Sequence, residues 1–244
     1  LKPDTIALDG NPLRSNPEFT AATDAEVQAL ILIKTRMAAD AVGATMMDRP
    51  EWTALRTYSD GANPAPGYGG NYGPGRPLEV YCTLTNNNRR GTGTPSANLP
   101  DGSTAGGSAR PPVDAANPRE DNVYGHIIRW YYRQDWTEPT FGWDIFALCG
   151  DPANPAHGST ISGDKYGSPD GIYVDPSGLL WIQTDVSTPT INAGAYVGFG
   201  NNQMLAAHPE TRETRRFLVG PSQCEITGVF MTPDRRTMFV GIQH

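Results

Sequence analysis

Short apolar runs alternate with turn-forming segments along most of the chain. The runs lie at residues 78–84, 124–132, 143–148, 172–174, 179–184, 203–207, 215–219, 229–232 and 238–242. Each is rich in β-branched or aromatic residues and is closed by Gly, Pro, Asn or Asp, which predicts strands. One stretch has a different period. Val27, Leu30, Ile31, Lys34 and Ala38 recur at helical spacing. Thr23 or Asp24 can cap that helix, Glu26 suits its first turn, and Gly43 can end it. The expected helix therefore covers residues 24–43, preceded by an extended arm over residues 1–23. Two segments rich in Gly, Pro, Asn and Ser, at 58–77 and 88–120, read as long surface loops inserted between strands.

The strands repeat. Residues 173–182 and 231–240 both read apolar strand, Pro/Asp turn, apolar strand. A degraded copy begins at Glu51-Trp52-Thr53 and resumes at 78–84. Repeats of roughly 40–50 residues built from four short strands mark β-propeller blades. The expected fold is mostly β: a partial β-propeller over residues 24–244, with two blades, part of a third and one N-terminal helix. Its first blade would use Trp52, Val80, His126 and Trp143. The second would use Ile172, Leu180, Met204 and Phe217, and the third would start at Ile226 and Met238.

Composition supports this reading: Gly 27 and Pro 22 favour turns and short strands. The net charge of −7 and the lack of a dense Lys/Arg run argue against a nucleic-acid partner. No apolar run approaches the ~20 residues that span a bilayer. Both ends read as cut, so the chain reads as a piece of a longer protein. The three cysteines, Cys82, Cys149 and Cys224, are far apart and apolar-flanked, and read as buried free thiols.

Candidate chemistry follows from the repeat. An acid precedes or opens the first strand of each copy: Glu51, Asp170 and Glu225. First strands line the channel of a propeller, so these carboxylates would converge at one mouth. Like charges that close are costly, and a hard divalent cation relieves the cost. The other reading makes them exposed turn acids, or partners of Arg49 and Arg235. The second strands end in Thr85-Asn86-Asn87, Gln183-Thr184-Asp185 and Gln243-His244, whose oxygens could complete a calcium shell. Asn87 is the amide ligand expected here, although turn formation suits it equally. His126, in an apolar strand, reads as a hydrogen-bonded structural histidine, and His157 carries no pattern. No GxSxG, P-loop or dinucleotide fingerprint is present, and no catalytic residue is assigned.

Several blocks resemble the secreted, calcium-dependent alkaline phosphatases of the PhoX type. They are Met47-Asp48-Arg49-Pro50-Glu51-Trp52, Leu84-Thr85-Asn86-Asn87, residues 122–130, residues 168–185, Cys224-Glu225-Ile226-Thr227-Gly228 and residues 237–244. The resemblance implies a propeller that hydrolyses phosphate monoesters by metal-assisted phosphoryl transfer. It implies calcium and iron at the channel mouth, with Glu51 and Glu225 as metal ligands and Asp170 as their neighbour. It also implies export by the twin-arginine route to the periplasm or beyond. The Thr-Cys-Glu-Glu block that would hold iron in this family is not in the chain. Small phosphate esters are the expected substrates. The remaining blades of the parent chain, or a second copy, are the expected partners. A lactone-type calcium-dependent propeller hydrolase and a non-catalytic binding propeller are the competing readings.

Overall fold

The computed structural model describes residues 1–57, 77–93, 110–132 and 139–243. The loop expected at 58–77 lies almost wholly outside them, as does His244. The chain divides into two compact units, Leu1–Met46 with Gly91–Pro112 and Met47–Arg90 with Val113–His244.

The first unit is helical. Helix α1 spans Asp24–Ile33 and α2 spans Thr35–Ala41. Thr23 and Glu26 form a reciprocal capping box at the start of α1. The single helix expected over 24–43 is broken at Lys34 (φ −101°, ψ 38°). Thr35 supplies the reason: its hydroxyl donates to Leu32 O at 2.5 Å and competes with the helical ladder. Gly43, at φ +67°, closes α2. Residues 1–23 are more than an extended arm. They form two short 3-10 turns that bury Leu13 and Phe19 against Val27, Ile31 and Ala38. Arg14 fastens these turns to Asp4 (2.6 Å) and to Asp24 (2.7 Å).

The second unit is mostly β. Strands β1 (Pro50–Thr57), β2 (Pro77–Leu84), β3 (His126–Tyr131) and β4 (Gly142–Leu148) form an antiparallel sheet in chain order. The next sheet uses β5 (Ser162–Gly163), β6 (Pro169–Val174), β7 (Leu180–Thr184), β8 (Gln203–Ala207) and β9 (Glu213–Val219). Its order is β5-β9-β8-β7-β6, with only the β5–β9 pair parallel. Strands β10 (Glu225–Met231) and β11 (Met238–Gln243) form a hairpin. All of β7 is buried, and its apolar face joins Tyr81, Ile127, Phe146, Ile172 and Leu205 in one core.

Two buried polar networks tie this unit together. Arg129 donates to Glu79 (3.1 Å), to both oxygens of Asp144 (3.0 and 2.6 Å) and to Pro209 O (3.3 Å). Tyr81 OH donates to Glu79 at 2.5 Å, and Arg56 bridges Glu79 and Glu210. Arg212 returns from the second sheet to Asp144 and to the carbonyls of Ile145 and Phe146. These charges knit β2, β3 and β4 to the β8–β9 turn. The second network lies at the other end of the first sheet. Arg90 and Asp48, both fully buried, pair at 2.9 Å. Asn87 and Asn122 donate to the two oxygens of Asp48, and Asn122 also donates to His126 Nδ1. His126 Nε2 donates to Ala116 O at 2.8 Å, so the ring is neutral with both nitrogens engaged. The expected surface loop 88–120 is corrected here: Arg90 and Asn117 within it are fully buried, because Asp48 and Asp114 need their donors.

Removing one member of a buried ion pair leaves its partner uncompensated, which typically costs 3–5 kcal/mol. Arg129→Met should therefore lower unfolding free energy by about 3 kcal/mol in urea denaturation. An unchanged midpoint would show that the network is dispensable. His126 generates an acid-sensitivity prediction. Burial, ahead of the opposing carbonyl of Ala116 and charge of Asp48, holds its pKa down at about 4 from an ordinary 6.5. The positive charges of Arg119 and Arg90 act in the same direction as burial. The unfolded chain thus takes the proton first. Its contribution is fully present above pH 6.5 and is lost as pH falls toward 4, by on the order of 3 kcal/mol. Denaturation curves of His126→Gln should lack that limb between the two values.

Candidate metal centre

Each acid of the site is aimed by a local backbone device. In the β6–β7 ladder Pro169 faces Thr184 and Ile172 faces Ile182, so Asp170 and Gly171 together oppose Gln183. This bulge turns Asp170 out of the regular alternation. Asp185 ends β7, with its N–H donating to Ser168 O at 2.9 Å. Glu225 opens β10. A left-handed residue precedes each acid of the repeat by two positions. Arg49 (φ 51°) precedes Glu51, Ser168 (φ 50°) precedes Asp170, and Gln223 (φ 66°) precedes Glu225. Non-glycine residues rarely adopt this backbone, and it collects where a chain is held for function.

Buried hydrogen bonds then bring the strands together. Thr83 Oγ1 accepts from Trp52 N at 3.1 Å and donates to Asp170 O at 2.6 Å, joining β1, β2 and β6. Asn202 accepts from Val186 N (2.7 Å) and Thr184 Oγ1 (3.0 Å), and donates to Val186 O and Cys224 O. It therefore clamps the neighbours of Asp185 and Glu225 to each other. Carboxylate oxygens of Asp170, Asp185 and Glu225 lie within 4.8 Å of one another. Asp185 and Glu225 also line a cavity of about 360 Å³, with Ser187, Gln223 and Gln243.

The electrostatics follow. Burial pushes the Asp170 carboxyl up to about 6, and Glu51, Asp185 and Glu225 push it further in the same direction. Arg49 opposes them. Its guanidinium lies 3.6 Å from Glu51 and donates to Asn86 Oδ1 at 3.0 Å, while Asn86 donates to Ser168 Oγ. Among the described residues, the groups facing one another in this cluster are carboxylates, which suit a hard cation such as calcium.

Of the residues expected from sequence, Asp170 and Glu225 come together, and Asp185 joins them as their third member. Glu51 stands close enough to act on Asp170. Asn87 is placed elsewhere. Its amide donates to Asp48 at 2.9 Å and its oxygen accepts from Arg89 N at 3.0 Å, so both ends serve the buried network. Its neighbour Asn86 is the amide that meets Arg49. Asn202 and Thr83 escaped sequence reasoning, because a buried Asn or Thr between apolar strands reads as a turn or strand residue. His157 stacks on Tyr124 with centroids 4.5 Å apart, in a loop of its own.

The sequence profile of the family described as alkaline phosphatase PhoX matches residues 7–244. The chain belongs to the PhoX family. A solved relative, Pseudomonas fluorescens PhoX in complex with vanadate, a transition-state analogue, is 42% identical with a TM-score of 0.67. The match covers 93% of this chain and 33% of that PhoX chain, so the sequence spans about a third of its relative's length. No curated protein matches significantly.

Asp170→Asn tests the charge argument. A carboxyl raised to about 6 weakens the fold as pH rises from about 3.8 through 6. Without added cation, the variant should be more stable than the wild type at pH 7.5 by about 1 kcal/mol, after allowance for its partial exposure. Its calcium-induced rise in Tm should be much reduced. Equal stability would mean that the carboxylates do not repel.

Proposed function

We propose that this chain carries part of the site of a calcium-dependent phosphomonoesterase, on a partial β-propeller of two blades and the start of a third. The observation that carries the reading is the convergence of Asp170, Asp185 and Glu225 from two sheets, with Glu51 beside them. Strands β1, β6 and β10 are each an edge strand of a sheet, and β6 lies beside both β1 and β10, which fits inner strands around one axis. The vanadate complex of the Pseudomonas fluorescens relative fits phosphoryl transfer.

A bound calcium would neutralise oxygens of the transferring phosphoryl group. Glu51, Asp170, Asp185 and Glu225 hold the cation and need not move protons. Arg49, fixed by Asn86 and only half exposed to solvent, can hold one phosphate oxygen by charge-assisted hydrogen bonds. The neighbouring cavity has room for the ester. Iron finds no thiolate here. Burial raises Cys82 to about 11 and Cys149 to about 12, and Cys224 is also buried. A thiolate ligand for iron would have to come from elsewhere in a longer protein. A periplasmic or extracellular setting fits the family reading. The exposed Phe230, Phe239 and Ile242 of the β10–β11 hairpin fit further blades of the same protein or a second copy.

The test is elemental analysis of the purified chain, paired with hydrolysis of p-nitrophenyl phosphate with and without a calcium chelator. Bound calcium and chelator-sensitive hydrolysis are the expected results. Calcium without hydrolysis would place the missing catalytic groups outside the chain. A chain that takes up no divalent cation would overturn the reading.

A further inference from the structure

Gln183 is the residue of the second unit whose surroundings fit its chemistry least. It is fully buried in β7, and neither its amide oxygen nor its amide nitrogen has a hydrogen-bond partner among the described residues. Buried amides are almost always paired, and each orphaned polar atom typically costs about 1–3 kcal/mol. A methionine or leucine would fill the same space without that cost.

The placement of the amide is specific. Gln183 opposes the bulge that carries Asp170, and it lies two residues before Asp185, which follows the end of β7. It also fills the gap at Gly171. A Cβ there would stand 2.5 Å from Gln183 Oε1 and 2.9 Å from Thr227 O. The glycine thus lets the Gln183 amide reach in among β6, β7 and β10, the three strands that carry or lead into Asp170, Asp185 and Glu225. The amide offers Oε1 as an acceptor and one N–H of Nε2 as a donor, and Thr227 O is a second acceptor nearby. That number of partners is what a buried water takes.

We propose that Gln183 is a positioning residue of the carboxylate site. Its amide anchors a buried water beneath Asp170 and Asp185, and through that water it fixes the carboxylates for a divalent cation. The proposal rests on the calcium reading above and adds a residue that supports its ligands from behind. Outer partners of this kind typically contribute 10- to 100-fold to metal affinity.

The test is calcium titration by calorimetry on the wild type, Gln183→Met and Gln183→Leu, with Tm measured in chelator for each. The expected result splits two readouts. Cation-free Tm is little changed in the variants, because an apolar side chain of similar size replaces the amide and its water together. Calcium affinity falls at least tenfold. Variants that bind calcium as the wild type does would overturn the proposal and leave the calcium reading intact. A marked loss of cation-free Tm in both variants would also overturn it, since the amide would then be serving the fold itself. A wild type that binds no calcium would overturn both.

Discussion

Holding several carboxylates within a few ångströms of one another is the constraint around which the β unit is built. Asp170, Asp185 and Glu225 repel, and partial burial of Asp170 removes much of the water that would screen it. Such a cluster does not assemble by itself. The work is done by neutral groups one or two residues away. Thr83 pins the backbone of Asp170, Asn202 pins the residues flanking Asp185 and Glu225, and Ser168 pins Asp185. These hydrogen bonds go to main-chain atoms of the acids and their neighbours. The site is therefore strained in charge and well supported in backbone, as expected of preorganised ligands.

The charges that hold the sheets together follow the opposite logic. Arg129 and Arg212 meet Glu79 and Asp144 in alternating signs, with nearly every donor used. Arg90 and Asp48 do the same at the other end of the first sheet. Burying ions is tolerable when both signs are present and hydrogen-bonded. The acid cluster has mainly one sign: Asp170, Asp185 and Glu225 face one another, with Arg49 as an opposing charge on Asp170. Protonation or a bound cation relieves such repulsion.

Much of this was legible in the chain. Turn-bounded strands at 78–84, 203–207 and 238–242 lie where their alternation put them, because short β-branched runs leave few other choices. The acids were legible through the repeat, since equivalent positions in adjacent sheets must approach each other. What escaped was set by contacts between distant residues. The break at Lys34 depends on one hydroxyl of Thr35. The burial of Arg90 depends on Asp48, 42 positions away. Asn87 reads as a ligand because it ends a second strand with an amide oxygen; the fold gives its amide to Asp48 and leaves Asn86 to meet Arg49.

The left-handed residues Arg49, Ser168 and Gln223 have a consequence of another kind. Each precedes its acid by two positions, so the three approaches have been copied as backbone torsions, not as side chains. The side chains at the three positions differ: Arg, Ser and Gln. A glycine at any of them would relieve local strain on the order of 1 kcal/mol, yet would slacken the approach to the acid. Selection for heat resistance and selection for turnover therefore pull these three positions in opposite directions. A lineage's compromise between the two should be readable in how many of them have become glycine.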